Sequence, residues 1–173
     1  MRRSIAMTVA MFFLCTSASA QELPGIDRPP NEVAAKLSEI FQCRMSSGGD
    51  ALGCRSNPGE ASVELALNSR GDEIDKAEVD LLIATRRGRP TAEELTATDA
   101  TIEAMMYLAP SWQKSLEWLT SAIAAADQQK ACSYIKLNGV VLVVLPHRAV
   151  DTPGSFATIY VTRHFDLYSL CDY

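Results

Sequence analysis

Cysteine is the residue type whose number and spacing in this chain most clearly imply chemistry. The chain has five cysteines, of which Cys15 lies in an N-terminal segment that we expect to be removed. The remaining four, Cys43, Cys54, Cys132 and Cys171, are an even number, which predicts two disulfides in an oxidising compartment. Their spacings match neither a zinc site nor a C-x-x-C redox motif. Three pairings are possible, and we favour Cys43–Cys54 with Cys132–Cys171 because the first pair closes a short loop flanked by turn residues.

The two histidines, His147 and His164, are not predicted to act together. His147 directly follows the strand predicted over 140–146, and His164 is the last residue of the strand predicted over 155–164. In an ordinary hairpin these positions lie at opposite ends, about 30 Å apart at the rise of a strand. The sequence also contains no G-x-S-x-G nucleophile elbow. We therefore expect neither a catalytic serine nor a metal centre at these residues.

Charged residues cluster at two further places. Asp99 and Glu103 are four residues apart on one predicted helix face. They could resemble the carboxylate pair of a glycosidase, but their neighbours are polar, so a solvated face is the simpler interpretation. Arg86, Arg87 and Arg89 precede a predicted helix whose N-terminus could help them to hold an anion. Solvated loop charges again explain them more simply.

The polar side of a hairpin predicted over 61–84 is acidic. Glu64, Glu78 and Asp80 alternate with apolar residues along its two strands, which places all three on the same side. Trp118, on a predicted helix, lies about 120° from the centre of that helix's apolar stripe. Burial in the core is the simpler interpretation of Trp118, but if it is exposed, these four residues are candidates for a surface that binds a partner.

The N-terminal half of the chain provides the elements that would position these residues. A helix is predicted over 32–42 with Asn31 as its N-cap. Residues 43–60 are rich in turn-forming types, with room for a short strand pair closed by the first disulfide. The acidic hairpin follows, with its loop predicted over 68–73.

Two helices are predicted in the middle of the chain. Thr91 and Glu94 have the spacing of a capping box at the start of the first helix. Pro110 ends that pattern, and Ser111 is a candidate cap for the second helix. The predicted apolar stripes are Leu95, Ile102, Met105, Met106 and Leu108 in the first helix, and Trp112, Leu116, Leu119 and Ile123 in the second. The two helices are expected to form an antiparallel hairpin or one kinked element.

The C-terminal third has the pattern of a β-meander. Asn138-Gly139 between two apolar runs predicts a two-residue type I′ turn that pairs Leu137 with Val140. The run over 140–145 is apolar on both faces, which is typical of a central, covered strand. A third strand is predicted over 155–164.

Strands at both ends of a helical middle predict an α+β fold rather than alternating βαβ units. We expect an antiparallel sheet, made of the N-terminal hairpin and the C-terminal three-strand meander. The sheet would pack against the central helical hairpin and be stabilised by two disulfides. One domain over 31–173 after a proline-rich linker at 21–30 is the simplest organisation.

The first 20 residues have the features of a secretory signal peptide. Two arginines precede a mostly apolar stretch, and Ala18-Ser19-Ala20 supplies the small-x-small pattern, so cleavage is predicted after Ala20. The apolar stretch is shorter than the ~20 residues of a bilayer-spanning helix, and no later stretch is apolar enough to span. A retained signal anchor or a lipoprotein modified at Cys15 is a weaker alternative. The expected location is the periplasm or the outside of the cell.

Net charge bears on the class of partner. The chain has 16 basic and 21 acidic residues, and the predicted leader contains two arginines and no acidic residue. The exported chain would therefore carry 14 basic and 21 acidic residues, a net charge of −7. Such an acidic domain is a poor candidate for binding nucleic acid or anionic lipid.

These observations favour a non-enzymatic protein-binding or accessory protein of the cell envelope, with a protein partner and no cofactor. Two alternatives remain open at this point. The first is a small hydrolase that uses carboxylates, which requires a pocket holding two of them. The second is a module that binds a small ligand in an apolar cavity between helices and sheet.

Overall fold

A computed structural model describes residues 23–48, 51–56, 61–83, 91–129, 131–146, 157–163 and 171. These ranges form an α+β fold, in which three helices pack on one antiparallel seven-stranded sheet. The strands are β1 (Ser46–Gly48), β2 (Ala51–Ser56), β3 (Ala61–Arg70), β4 (Glu73–Ile83), β5 (Ser133–Leu137), β6 (Val140–Pro146) and β7 (Ala157–Thr162). The helices are α1 (Pro30–Phe41), α2 (Ala92–Leu108) and α3 (Ser115–Gln129).

The strand order joins the two ends of the chain in one sheet. The order is β1-β2-β3-β4-β7-β6-β5, and every neighbouring pair is antiparallel. The pairing of β4 with β7 connects the N-terminal hairpin to the C-terminal meander, and places Glu78 opposite Tyr160. The central strand is therefore β4. The predicted central strand, β6, is second from the edge, although its residues 140–144 are buried as expected.

All three helices cover the same face of the sheet. α1 packs against β2 and β3, α2 against β3 and β4, and α3 against β5, β6 and β7. In β3, β4, β6 and β7 most of the residues that face the helices are apolar and buried, and in β3 and β4 they alternate with polar positions as the sequence predicts. The side chains between helices and sheet form one contiguous buried cluster, which includes Leu37, Met105, Leu119, Leu142 and Ile159.

The described part of the predicted linker packs against the domain. Residues Gly25–Asp27 form a short 3-10 helix, and Ile26 is only 1% exposed. A Cβ atom at Gly25 would lie 2.7 Å from Cε1 of Tyr107, so only glycine fits this close approach. Periodicity gives no signal for this segment, because a single apolar residue between prolines supplies the contact.

Helix α1 begins one residue before the predicted cap. Pro29 occupies the N-cap position and Pro30 the first helical position, so Asn31 lies inside the first turn. Proline is favoured there because its missing N–H would have no partner within the helix. Gln42 ends the helix in the left-handed conformation, at φ 50°.

Helix α2 has its predicted capping box, and three of the five residues of its predicted apolar stripe are buried. The Thr91 hydroxyl accepts a hydrogen bond from the Glu94 amide, and the Glu94 carboxylate accepts one from the Thr91 amide. Leu95 and Met106, predicted to be buried, are exposed. The buried positions are taken by smaller residues between the large ones, namely Ala97, Thr101 and Ala104, together with Ile102, Met105 and Leu108.

Helix α3 begins at Ser115, later than a cap at Ser111 would allow. Lys114 adopts φ 72°, a conformation that an α-helix cannot include, so the helix begins after it. Leu116 is consequently 54% exposed, whereas Leu119 and Ile123 are buried as predicted, beside Ala122.

The turn predicted in the meander is confirmed. Asn138 and Gly139 have φ 49° and 82°, and Leu137 lies opposite Val140. The β3–β4 loop is shorter than predicted, because pairing continues past an irregularity in the register between Asn68 and Ser69 until Arg70 lies opposite Glu73.

Both predicted disulfides form. Cys43 joins Cys54 with 5.9 Å between their Cα atoms, and Cys132 joins Cys171 with 5.6 Å between theirs. The first disulfide links the residue after the C-cap of α1 to strand β2, so β1 lies inside the loop that it closes. No helix within the described ranges is long and apolar enough to cross a membrane.

Candidate functional site

The sheet face opposite the helices, here called the open face, is built from alternate residues of each strand. The register of the strands aligns these residues in three rows. The middle row crosses all seven strands and contains Ser46, Gly53, Ala66, Glu78, Tyr160, Val143 and Tyr134. The row on one side contains Arg55, Glu64, Asp80, Thr158 and Leu145. The row on the other side contains Gly48, Ala51, Asn68, Lys76, Thr162, Val141 and Lys136.

The open face has a buried half and an accessible half. On β6, Val143 is fully buried and Val141 nearly so, although neither points towards the helices. On β2 and β3, by contrast, the side chain of Arg55 is 60% exposed and that of Glu64 is 38% exposed. The open face is therefore accessible over β1 to β4, which we call the accessible half, and again at the edge strand β5, where Tyr134 and Lys136 are exposed.

A groove of about 400 Å³ lies on this accessible half. Its floor is low because the two adjacent positions at its centre, Gly53 and Ala66, carry almost no side chain. A Cβ atom at Gly53 would lie 2.9 Å from the carbonyl oxygen of Leu65, so β2 can lie this close to β3 only with glycine. The open-face side chains that surround the floor are Ser46, Arg55, Glu64, Glu78 and Asp80. We call this site the acidic groove.

Two of the three carboxylates in the acidic groove already have cationic partners. Glu64 pairs with Arg55 across the β2–β3 ladder. The Glu78 carboxylate accepts a hydrogen bond from Lys76 Nζ at 2.8 Å and another from the Tyr160 hydroxyl at 3.2 Å. Lys76 also lies 5.1 Å from the centre of the Tyr160 ring, within reach of a cation–π contact.

Asp80 differs from the other two carboxylates. It lies directly opposite Glu64 across the β3–β4 ladder and two residues from Glu78. Its carboxylate accepts a hydrogen bond of 2.5 Å from the hydroxyl of Thr158. Within the described part of the chain, no lysine or arginine forms an ion pair with it. Among the described residues, the cluster thus contains three carboxylates and two cations, Arg55 and Lys76, which leaves a net charge of −1. Asp80 is the carboxylate that neither cation pairs with.

Tyr160 is kept neutral by its surroundings. Its pKa is raised well above the usual value near 10, first because the ring is partly buried and then because Glu78 and Asp80 are negative. The hydroxyl consequently keeps its proton and donates a hydrogen bond to the Glu78 carboxylate. Tyr160 thus holds the Glu78 carboxylate at the edge of the groove.

Trp118 does not belong to the acidic groove. It lies on α3, in the helical layer behind the sheet, and its ring meets that of Trp112 edge to face with 6.1 Å between centroids. Both rings are partly buried against the core. The four residues predicted as one surface are thus divided between two faces, with Glu64, Glu78 and Asp80 together and Trp118 apart.

The other candidate residues do not add to this site. Asp99 and Glu103 are exposed on α2, in agreement with a solvated helix face. His147, His164 and the arginines at 86, 87 and 89 lie outside the described residues. Within the ranges that the structure does describe, no group of three or more His, Cys, Asp or Glu residues is arranged to hold a metal ion.

Comparison with known proteins gives no match. No protein-family model, no curated protein and no solved structure is similar to this chain. Any function must therefore be argued from the chemistry of the chain's own residues.

Sequence reasoning did not identify several residues that shape the acidic groove. Gly53 and Ala66 form its floor, Arg55 flanks it, and Tyr160 orients one of its carboxylates. Alternation along β3 and β7 could have placed Ala66 and Tyr160 on a polar face, but their proximity to Glu78 depends on pairing between distant strands. The glycine at position 53 had no local signal beyond a turn-rich neighbourhood.

Proposed function

We propose that this protein is an exported, non-enzymatic protein-binding or accessory protein of the cell envelope, and that it binds a basic segment of a partner protein in the acidic groove. The observation that carries the proposal is the position of Asp80. Its carboxylate lies between those of Glu64 and Glu78 in an accessible groove, and no cation of the described chain pairs with it.

The chemistry of the groove favours a lysine or arginine side chain as the occupant. Hydrogen bonds between a cation and a carboxylate are stronger than those between neutral groups, and each contributes roughly 1.5–3 kcal/mol. The floor at Gly53 and Ala66 is flat enough for the aliphatic stem of such a side chain to lie along it. The acidic composition of the chain would also draw basic partners towards this surface.

Export is supported by the cysteines. Two disulfides in one small domain are typical of proteins that fold in the periplasm or outside the cell, where thiols are oxidised. A signal peptide cleaved after Ala20 would deliver the chain there. The proposed location is therefore periplasmic or extracellular.

A peptide-binding measurement tests the groove directly. A short lysine-serine peptide should bind the purified protein, and a glutamate-serine peptide of equal length should not. The pair of isosteric changes Glu78→Gln and Asp80→Asn should weaken binding by about tenfold or more, since each removes a charge-assisted contact. Binding should also weaken as salt is added, because the groove is open to solvent.

The control pair for this measurement is Glu103→Gln with Glu117→Gln. It changes the net charge by the same amount, but both residues lie on the exposed side of the helical layer. Equal weakening by the two pairs would mean that only overall charge attracts the peptide, and the groove would lose its assigned role. Failure of the lysine peptide to bind the wild-type protein would have the same consequence.

A carboxylate-dependent hydrolase is the second candidate, because the acidic groove does bring three carboxylates into one pocket. A general acid needs a carboxyl group that stays protonated, which usually requires burial away from cations. Glu64 and Glu78 instead pair with Arg55 and Lys76. Turnover of a glycoside or ester by the wild-type protein that is lost with Asp80→Asn would favour the hydrolase over the binding protein.

A small-ligand cavity between helices and sheet finds less support. The described side chains between these layers form one contiguous buried cluster. Buried apolar side chains in contact with one another are what a packed core requires, whereas a ligand site there would need a cavity.

A further inference from the structure

The outer wall of the acidic groove is attached to the core only by partly buried side chains, namely Cys43, Met45, Leu52 and Cys54. This wall consists of Ser46 on β1 together with Gly53 and Arg55 on β2. Among the described side chains from Gln42 to Ser56, none is buried. By contrast, β3 and β4, on the other side of the groove, bury Leu65, Leu67, Val79 and Leu81.

The Cys43–Cys54 disulfide is the covalent anchor of this wall. Cys43 follows directly after α1, whose residues Val33, Leu37 and Phe41 are buried in the core. Cys54 lies between Gly53 and Arg55, with its side chain on the helix-facing side of β2, opposite Leu65. The disulfide therefore ties the two wall residues of β2 to a firmly packed helix.

Backbone pairing with β3 is the other main attachment of the wall. β2 pairs with β3 along its whole length, from Ala51 opposite Asn68 to Ser56 opposite Val63. Among the strands of the described ranges, only β1 lies beyond it, and β1 is three residues long. Short strands at the edge of a sheet, with little buried side-chain area, open more readily than central strands.

We infer that the Cys43–Cys54 disulfide is a redox switch for the acidic groove: the groove keeps its binding shape when the disulfide is intact, and β1 and β2 separate from β3 when it is reduced. The rest of the fold remains in place, because β3, β4, β7 and β6 have their own buried side chains. Binding would then be confined to oxidising compartments or controlled by thiol–disulfide exchange.

The chemistry is an ordinary two-electron exchange with a dithiol, either a small molecule or a dithiol oxidoreductase. A thiolate of the dithiol attacks one sulfur of the bond, the Sγ–Sγ bond breaks, and a mixed disulfide forms. The second thiol of the reductant then displaces the protein sulfur. The protein disulfide thereby gains two electrons and two protons and becomes the thiols of Cys43 and Cys54. The dithiol loses the same electrons and protons and becomes a disulfide.

Hydrogen exchange tests this switch independently of any ligand. In the variant with Cys43→Ser and Cys54→Ser, amides of β1 and β2 should lose protection by roughly a hundredfold, equivalent to ~3 kcal/mol for releasing an 11-residue closed loop. Amides of β4 and β7, and those amides of β3 that donate to β4, should keep their protection, whereas the β3 amides that donate to β2 should lose it. The control variant carries Cys132→Ser and Cys171→Ser, which remove a disulfide far from the groove wall and should leave β1 and β2 protected.

A second route avoids any dependence on the folding of the serine variant. Wild-type protein is treated with a dithiol, free thiols are alkylated, and exchange is measured in the species alkylated at Cys43 and Cys54. Protection that is unchanged in β2, or that falls equally in β2 and β4, would overturn the switch. The second of these results would mean that the disulfide stabilises the whole domain rather than one wall.

Peptide binding gives a second readout, which rests on the proposed function. Affinity for the lysine-serine peptide should fall at least tenfold after loss of Cys43–Cys54, and stay unchanged after loss of Cys132–Cys171. The two proposals can fail separately. If β2 opens but the intact protein binds no lysine peptide, the switch stands and the proposed ligand is wrong; if the peptide binds equally well with and without the disulfide, the switch is wrong.

Discussion

At the scale of single residues, the acidic groove depends on the hydrogen bond between Thr158 and Asp80. The hydroxyl of Thr158 is buried and donates to the Asp80 carboxylate at 2.5 Å. This contact holds the carboxylate at one orientation without neutralising it. Thr158 therefore positions Asp80, the groove carboxylate for which the described residues provide no ion-pair partner.

Replacing Thr158 with valine should remove this hydrogen bond while nearly preserving the shape of the side chain. The expected cost is ~1–3 kcal/mol in the free energy of unfolding, since a carboxylate loses a buried donor. Urea unfolding measures it. Thr96→Val serves as the control, because the exposed Thr96 hydroxyl donates its hydrogen bond only to the Ala92 carbonyl of the same helix. Equal costs at both positions would show that Thr158 has no special role.

Tyr160 should make the stability of the protein depend on pH in the alkaline range. Its pKa is raised in the folded protein but lies near 10 in the unfolded chain. The stability that it contributes is therefore complete below about pH 10 and is lost as the pH rises above that value. Urea unfolding between neutral pH and pH 11 should show a steeper decline for the wild type than for Tyr160→Phe.

The matched control for this titration is Tyr134→Phe, which removes a hydroxyl from an exposed ring on the edge strand. Its stability curve should run parallel to that of the wild type. Parallel curves for wild type and Tyr160→Phe would instead show that ionisation of Tyr160 is not coupled to folding.

The acidic residues of the groove could be predicted from sequence, whereas their partners could not. Alternation within β3 and β4 places Glu64, Glu78 and Asp80 on one side, because side chains of a strand point to opposite faces in turn. Thr158 and Tyr160 reach them only through the β4–β7 pairing, across 78 and 82 positions of the sequence. No local pattern specifies which distant strands pair.

At the scale of elements, helix α2 begins at an N-terminal cap and packs on the sheet through small residues together with Ile102, Met105 and Leu108. The Thr91–Glu94 capping box satisfies backbone donors at the start of the helix. Glu94 is buried in this arrangement. The cap therefore fixes the start of the helix that packs against β3 and β4, the strands behind the acidic groove.

Removing the cap with Thr91→Ala should destabilise the protein by ~1 kcal/mol, as is typical for loss of an N-cap side chain. Chemical unfolding followed by circular dichroism would measure this loss. Thr96→Ala should have a much smaller effect, or a slightly stabilising one, because alanine favours the helix interior and Thr96 is exposed. A Thr91 variant as stable as the wild type would contradict the structural role of the cap.

Elements with strong local chemistry were predicted correctly, and those that depend on packing were not. The Asn138-Gly139 turn and the capping box follow from residue types whose backbone preferences act within a few positions. The buried face of α2 does not, because alanine and threonine at its contact positions allow close packing on the sheet while Leu95 and Met106 point outwards. Hydrophobicity alone correctly selects Ile102, Met105 and Leu108, but it also selects two exposed residues and misses the small buried ones.

At the scale of the whole molecule, the sheet separates two surfaces with different roles. The helices and their buried cluster stabilise one face, while the accessible half of the other face carries the acidic groove. The predicted α+β class and both disulfide pairings are confirmed. The joining of hairpin and meander through β4 and β7 was not predictable, because it depends on contacts between the two ends of the chain.

The most direct test of the central claim is site-specific photo-crosslinking in living cells from two neighbouring residues of β1. Ser46 borders the acidic groove, and Ser47, the next residue, is exposed on the opposite side of the same strand. A photoreactive amino acid at position 46 should form crosslinks to lysine- or arginine-rich segments of a partner protein, and these should disappear with Glu78→Gln and Asp80→Asn. The same group at position 47 should not form them. Identical crosslinks from both positions, or crosslinks from position 46 that persist after both carboxylates are neutralised, would contradict the account.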